Sequence, residues 1–412
     1  MASSAVERTR SRRTRRYSSN SLEGQRGTLR TTKESLHGDM SIRNRIHHFT
    51  WAWFAMTMST GGISLLLSKT PHKFQGLMTI GQIIFILDIV CFLVFTSIIT
   101  TRFILFRHTL KSSLSHPTES LFFPTFWIST VNILSNTQAY GVPKCGYWLV
   151  VVLRVMFWLY TALAFIVAVG QYFFLFSGKP LTPQSAMPAW ILPVFPIMLS
   201  GTLASVIGPT QPHQYALPIL IAGVTFQGLG ILMATYMISI FMGRLMTAGL
   251  PRSNMRPSMF IAVGPPSFTG LALIGISEAL AEIYPAHYSI KGIHDQEIIT
   301  DVFQILALST AVFLWATAFW FFAISLVSTI HGIHTEGMSF HMAWWAFVFP
   351  NVGFTLCTIS IGSALESEGV LWVTTGMTIL LVATWLFVGV MHARAVLKKQ
   401  ILWPGKDEDH EV

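Results

Sequence analysis

The chain has 412 residues, of which 52% are hydrophobic and only 11% are charged, and its formal net charge is +9. So few charged residues cannot cover a core of this size with a polar surface, which excludes a soluble globular protein. The excess of Lys and Arg is explained by their concentration in the loops and tails on one side of a membrane protein, so it does not indicate nucleic-acid binding.

The first 46 residues form a basic, polar tail with few apolar side chains. Such a segment cannot bury enough surface to fold, and it lacks the apolar core of a secretory signal peptide. We expect a disordered cytoplasmic tail that helps to orient the protein in the membrane. An alternative is a patch for anionic lipids that phosphorylation of Ser18, Ser19 or Ser21 would switch off.

Ten long apolar stretches follow this tail. A helix that crosses a hydrocarbon core of about 30 Å needs roughly 20 apolar residues, so the stretches predict an all-α membrane protein with ten transmembrane helices. The predicted helices cover residues 50–68, 77–101, 120–138, 148–176, 189–208, 215–243, 258–283, 301–329, 341–362 and 369–396. The third stretch is short and contains Asn132, Asn136 and Gln138.

Lys and Arg are distributed unequally between the loops. With the N-terminus inside, 22 of the 27 basic residues fall on the inner side, four fall on the outer side, and Arg154 lies within a helix. Because cytoplasmic loops are rich in Lys and Arg, both termini are predicted to be cytoplasmic. The predicted domains are a tail over 1–46, a membrane domain over 47–396 and a second tail over 397–412.

Enzyme and cofactor motifs are not found in the sequence. It contains no zinc-protease, P-loop or nucleophile-elbow pattern, so we expect no catalytic residue and no cofactor. His331 and His334, with His341 nearby, have a spacing that metal ligands use, but neither a Cys nor paired carboxylates complete a site. We therefore expect no bound metal.

Small, polar and helix-breaking residues concentrate in the odd-numbered stretches, whereas the even-numbered ones are rich in Phe, Leu, Ile and Val. Gly and Pro are tolerated in membrane helices where water or protein satisfies the backbone, so the odd helices are predicted to line a central path. Close helix packing by small residues is the alternative. Hydroxyl and amide donors would favour anions, and the candidate substrate-binding residues are Ser129, Asn132, Asn136, Ser200, Thr202 and Ser267.

The charged residues Asp88, Arg154, Glu278 and Glu282 fall within the predicted helices. Intramembrane charges are functional candidates. Two interpretations of Arg154 stay open: an ion pair with Asp88 or Glu278 that fixes helix packing, or attraction of a dicarboxylate at the outer mouth. Glu278 is either a carrier of a coupling proton or a solvated carboxylate.

Four segments resemble a known family: HHFTWAWFAMTMSTGGISLLL (47–67), PAWILPVFPIMLSGTLA (188–204), VGPPSFTGLALIGIS (263–277) and MAWWAFVFPNVGF (342–354). They are similar to the first, fifth, seventh and ninth helices of the tellurite-resistance/dicarboxylate transporters. That family includes plant guard-cell slow anion channels and fungal sulfite efflux pumps. The first segment resembles the fungal malic acid transporter branch in particular.

The resemblance implies five helical hairpins in a ring, with odd helices inside, even helices outside and three copies in a trimer. It also implies a gating phenylalanine just before the proline of the ninth helix, which is Phe349 here. Without the resemblance, Phe349 would be a core aromatic residue beside a kink.

The function that we expect is transport of C4-dicarboxylates, malate first and succinate among the others, across the plasma membrane. Proton-coupled uptake and channel-like release both stay open. The alternative on the same fold is efflux of sulfite or another small inorganic anion. A membrane enzyme or a receptor is the alternative from another class.

Overall fold

A computed structural model describes residues 42–116, 118–178, 181–287 and 296–402. These residues form helices and connecting turns, and no strand occurs among them. The predicted tails lie mostly outside these ranges, as do Ser18, Ser19 and Ser21. A short helix, Ile42–His47, forms within the segment that the sequence assigned to the first tail.

The longer helices of the described residues are named α1 to α10. Their bounds are α1 Phe54–Lys69, α2 Leu77–Leu105, α3 Glu119–Asn136, α4 Tyr147–Ser177, α5 Phe195–Ile207, α6 His213–Ala248, α7 Gly264–His287, α8 Gln296–Thr335, α9 Phe349–Ala364 and α10 Glu368–Leu397. We call the end of the molecule that carries Ile42–His47 the inner end and the opposite end the outer end.

Eight helical segments are long and apolar enough to cross a membrane: α2, α4, α6, α8, α10, and α5, α7 and α9 together with the 3-10 helices that adjoin them. The helix α1 has only 16 residues, and α3 has 18 residues that include Glu119, Asn132 and Asn136. The described residues therefore form a multi-pass helical membrane protein, with eight of the ten predicted spans recognisable by length and hydropathy.

Several odd-numbered helices begin with a 3-10 segment at the inner end. Pro188–Val194 leads into α5, Ser253–Val263 into α7 and Met342–Phe347 leads towards α9. Proline lies at or beside these junctions, where it removes a backbone donor and prevents a continuous α-helix. The apolar runs predicted as uniform helices over 189–208, 258–283 and 341–362 thus consist of two helical types.

Burial separates two groups of helices. The spans of α5, α7 and α9 are 83–89% buried, whereas those of α2, α4, α6, α8 and α10 are only 22–33% buried. Large apolar side chains cover the exposed faces of the even-numbered helices, as in Phe313 and Leu380. These faces suit contact with lipid, since the same side chains facing water would form an apolar surface of unusual size.

The odd-numbered helices close a ring. Contacts join α1 to α3, α3 to α5, α5 to α7, α7 to α9, and α9 back to α1. Each even-numbered helix contacts the odd-numbered helix that precedes it in the chain. Glycine permits close approach at some of these contacts: a Cβ atom at Gly230 of α6 would overlap Cβ of Met198 on α5.

Candidate functional site

The residue Phe349 begins α9 at the level of the middle of α1. Pro350 follows in the first turn of α9, where its missing N–H costs no helical hydrogen bond. Phe349 is only 2% exposed. The junction between the 3-10 segment and α9 therefore fixes where this ring enters the protein interior.

Phe349 packs against aromatic rings from two other inner helices. Its ring centroid is 5.0 Å from that of Phe268 on α7 and 6.0 Å from that of Phe195 at the start of α5. On α1, a Cβ atom at Gly62 would lie 3.2 Å from Cδ2 of Phe349, so glycine lets the ring pack against the helix. Phe195, Phe268 and Phe349 are called the gate cluster below.

Two cavities lie at different levels of the ring. The inner cavity has a volume of about 30 Å³ and is lined by Phe349 and by residues near the inner ends of α1 and α3, such as Ala55 and Thr125. The outer cavity has a volume of about 320 Å³ and includes Ser360 of α9. Ser360 lies about 16 Å further along α9 than Phe349, given a rise of 1.5 Å per residue. A narrow, apolar region thus lies at the gate cluster and a wide one at the outer end.

The outer cavity is lined by charged and hydroxyl side chains. Lys69 ends α1, while Glu278 and Glu282 are one turn apart on α7, and Lys69 and Glu282 both act electrostatically on Glu278. All three are exposed, so water screens their charges. Ser205 and Ser360 add hydroxyls from α5 and α9. Lys69 can therefore attract a carboxylate, whereas Glu278 and Glu282 repel additional negative charge from the same cavity.

The predicted donors of α3 contact the backbone of α1. Asn132 Nδ2 donates to the carbonyl of Met58 at 2.8 Å, and Asn136 Nδ2 donates to the carbonyl of Gly61 at 2.8 Å. Ser129 Oγ lies 3.1 Å from the carbonyl of Phe54. In this conformation the three side chains join α3 to α1, and a substrate must displace these bonds to use the amide donors.

Of the predicted donors on α5 and α7, two are bonded to other protein groups and one lines the outer cavity. Ser267 Oγ donates to the carbonyl of Val263, and Ser200 Oγ accepts from Thr161 on α4 at 3.3 Å. Thr202 lines the outer cavity, and its buried hydroxyl has no hydrogen-bond partner among the described residues. Of the predicted hydroxyl and amide residues, the structure therefore brings only Thr202 to the lining of the outer cavity.

Arg154 forms neither of the ion pairs that the sequence suggested. Its guanidinium carbon lies 3.7 Å from the ring centroid of Tyr215 on α6, and no ion pair with Asp88 or Glu278 occurs among the described residues. The ion-pair interpretation is wrong because α4 and α6 place the guanidinium over an aromatic face, which attracts cations through its quadrupole. Arg154 is also absent from the residues that line the outer cavity.

One of the histidines near the end of α8 contacts a cation. His331 Nδ1 lies 3.0 Å from Nη1 of Arg256, which also approaches Glu336 at 3.6 Å. Hydrogen bonds from the hydroxyl and the backbone N–H of Ser253 lower the pKa of Glu336. The described residues contain no group of three His, Cys, Asp or Glu side chains arranged to hold a metal.

Sequence analysis did not identify Lys69 as a site residue. Lys69 is separated from Glu278 by more than 200 positions in the chain, and nothing local in the sequence links them. Its place at the end of a predicted inner helix was the one available signal, because a charge at the end of a pore-lining helix lies at the mouth of the pore.

Comparison with known proteins gives the family. The family model of the SLAC1 voltage-dependent anion channels matches residues 48–393. A malic acid transport protein of Schizosaccharomyces pombe is 37% identical over 369 residues, which cover 89% of this chain and 83% of that protein. A putative malic acid transport protein of the same yeast is 35% identical, with coverages of 90% and 85%.

A more distant relative, the sulfite efflux pump SSU1 of Arthroderma benhamiae, is 25% identical over 344 residues, which cover 83% of this chain and 89% of the pump. The resemblance drawn from the four sequence segments is thereby confirmed, as is the expectation of a transport protein rather than an enzyme. The chain belongs to the SLAC1 voltage-dependent anion channel family.

Proposed function

We propose that this protein transports C4-dicarboxylates, malate first, across the plasma membrane through the ring of inner helices. One observation carries the proposal: the gate cluster fills the ring beside a small apolar cavity, and a wide cavity with Lys69 and hydroxyl groups lies beyond it. The similarity to malic acid transport proteins at 35–37% identity supports the substrate.

The membrane arrangement belongs to the same proposal. All ten helices cross the bilayer as five hairpins, with α1 and α3 included because they complete the closed ring of contacts. Both termini are cytoplasmic, as the 22 basic residues assigned to the inner side favour. The protein acts as a homotrimer in the lipid bilayer, and the apolar faces of the even-numbered helices provide surfaces for lipid and for other copies.

Substrate recognition begins in the outer cavity. Lys69 attracts one carboxylate, and Thr202 and Ser205 supply neutral donors within the same cavity. The amides of Asn132 and Asn136, together with Ser129, Ser200 and Ser267, bind the anion during passage, when motion of the inner helices releases their present hydrogen bonds. Arg154 contributes positive potential near the outer end without touching the substrate.

The membrane potential sets what uptake requires. An inside-negative potential of 100 mV favours exit of an anion by about 2.3 kcal/mol per charge. Uptake of malate therefore needs a proton or another cation to travel with it, whereas release of the dianion does not. We propose coupling to a proton, which is abundant outside cells in acidic surroundings.

A substrate panel tests the proposed function. Purified protein in proteoliposomes should exchange internal malate for labelled external malate, and unlabelled succinate should compete. The second candidate is sulfite efflux, which the more distant similarity to SSU1 favours. Exchange of sulfite without exchange of malate would select that candidate, and absence of flux for both anions would contradict transport by this path.

Changing the charge of the outer cavity should change the apparent affinity. Because Lys69 is the cation among the residues that line this cavity, Lys69→Gln should raise the KM for malate about two- to fivefold, the range of an exposed ionic contact. Glu278→Gln should lower KM, since it removes a repelling carboxylate. Both effects should shrink as salt screens the charges.

Lys144→Gln is the matched control for this prediction, because Lys144 is exposed and does not line the outer cavity. It should leave KM unchanged at every salt concentration. Equal KM values for Lys69→Gln and wild type in labelled-malate uptake would remove Lys69 from the recognition step.

A further inference from the structure

The carboxyl group of Asp88 on α2 is buried without a partner. Asp88 is 0% exposed, and neither of its carboxyl oxygens has a hydrogen-bond partner among the described residues. An ionised carboxylate without donors is strongly unfavourable in an apolar interior, so the packing accommodates the neutral, protonated acid. A side chain that is so poorly satisfied and lies in the middle of a membrane helix calls for a function.

No neighbouring charge explains this carboxyl group. The ionisable side chains on the elements packed against α2 are Arg43, Arg45, His47, Lys69, His108, Lys111, Glu119 and Tyr140, and Cys91 lies on α2 itself. None of them makes a hydrogen bond or an ion pair with Asp88. Glu119 is bonded to Arg102, and Tyr140 donates to the carbonyl of Ser64.

Two consecutive glycines of α1 connect Asp88 with the gate cluster. A Cβ atom at Gly61 would lie 2.7 Å from Oδ2 of Asp88, and one at Gly62 would lie 3.2 Å from Cδ2 of Phe349. Asp88 and the gating ring thus pack against adjacent residues of one helix. A shift of α1 that relieves one contact must change the other, because packed interiors transmit small displacements.

Two asparagine side chains of α3 lie beside Gly61. The Cβ atom of Asn132 would be 3.0 Å from a Cβ atom at Gly61, and Asn136 donates to the carbonyl of Gly61 itself. Loss of the proton from Asp88 creates a charge that needs hydrogen-bond donors, and these two amides are donors beside it. Their recruitment would weaken the bonds that join α3 to α1 next to the gate cluster.

We propose that Asp88 binds the proton that is co-transported with the dicarboxylate and that its protonation controls the gate cluster through Gly61 and Gly62. This inference rests on the proposed function. Protonated Asp88 allows the packing seen here, with Phe349 against Gly62. Release of the proton draws the amides of Asn132 and Asn136 towards Asp88, loosens α1 and moves Gly62 relative to Phe349.

The test uses the full chain in proteoliposomes, with the membrane potential clamped at zero and a pH-sensitive dye inside. Wild type should accumulate labelled malate when the outside is more acidic, about tenfold per pH unit for one coupled proton, and the dye should report proton entry. Asp88→Asn, which mimics the protonated acid and therefore keeps Phe349 packed against Gly62, should slow malate exchange at symmetric pH and lose the accumulation and the proton entry. Asp301→Asn, which removes an exposed carboxyl near the start of α8, should behave as wild type.

Undiminished accumulation and proton entry in Asp88→Asn would overturn the proposal, since the proton would then travel on the substrate. Wild type that exchanges malate without responding to the pH gradient would also overturn it, whereas wild type without any malate exchange would contradict the proposed function. If Asp88→Asn does not fold, Asp88→Glu decides. It should retain coupling with a shifted pH profile, and a profile identical to that of wild type would count against Asp88.

Discussion

Replacing Phe349 by alanine should raise the flux of malate through the protein by about tenfold or more. The side chain fills the ring of inner helices with 2% exposure, in contact with Phe195 and Phe268. Removing it leaves a wider and more readily hydrated passage, because a hydrophobic constriction closes a pore by sterics and by dewetting. A reduction of about 1.4 kcal/mol in the barrier suffices for a tenfold increase.

The measurement is anion current, or malate efflux from proteoliposomes at matched protein content. Selectivity should fall together with the rise in flux, since a wider path also admits other anions. Phe157→Ala is the matched control: Phe157 is fully buried on α4, outside the ring of inner helices, and its loss removes the same side chain without opening the path. A folded Phe349→Ala protein with unchanged or reduced flux would show that Phe349 is only a packing residue.

Replacing Arg102 by glutamine should destabilise the protein by about 3–5 kcal/mol, the usual effect of removing one member of a buried ion pair. Arg102 Nη1 lies 2.5 Å from Oε1 of Glu119 and donates to the carbonyl of Phe49 at 2.8 Å. Ser113 also donates to Glu119, and Trp51 donates to Ser113. Without Arg102, Glu119 remains buried at the inner end of α3 with an uncompensated charge.

Thermal unfolding in detergent, followed by tryptophan fluorescence, measures this effect. The double variant Arg102→Gln with Glu119→Gln should recover much of the lost stability, because it removes the unpaired carboxylate. Arg252→Gln serves as the control, since Arg252 is exposed. Additive effects of the two single changes would show that Arg102 and Glu119 do not stabilise each other.

The hydropathy pattern along the sequence predicted an all-α membrane protein. Hydropathy over about 20 residues is a property of a contiguous segment, so the even-numbered helices were found with their ends within about six residues. The low hydropathy of α3 was also visible as a short, polar stretch, whereas the short length of α1 was not predicted. Phe349 could be singled out because its neighbour Pro350 and the surrounding motif are adjacent in sequence.

The sequence did not predict which side chains of different helices contact each other. Asn132 and Asn136 are four residues apart and therefore share one face of α3, yet this spacing did not reveal that the face meets carbonyl groups of α1. A carboxylate partner was one of the two interpretations of Arg154, but its guanidinium group lies over the ring of Tyr215. Helical periodicity states which residues share a face, whereas the partner of that face depends on how each helix is rotated about its axis.

The sequence by itself determined that this chain is a helical membrane protein of an anion transport family, because composition, hydropathy and motifs can be read without knowing which helices contact each other. Only the tertiary structure decided which polar groups meet. Lys69 joins Glu278 in the outer cavity, Arg102 pairs with Glu119, and Asp88 packs against Gly61. Each contact joins different helices and arises from the packing of their surfaces, in which glycine positions set how closely two helices approach.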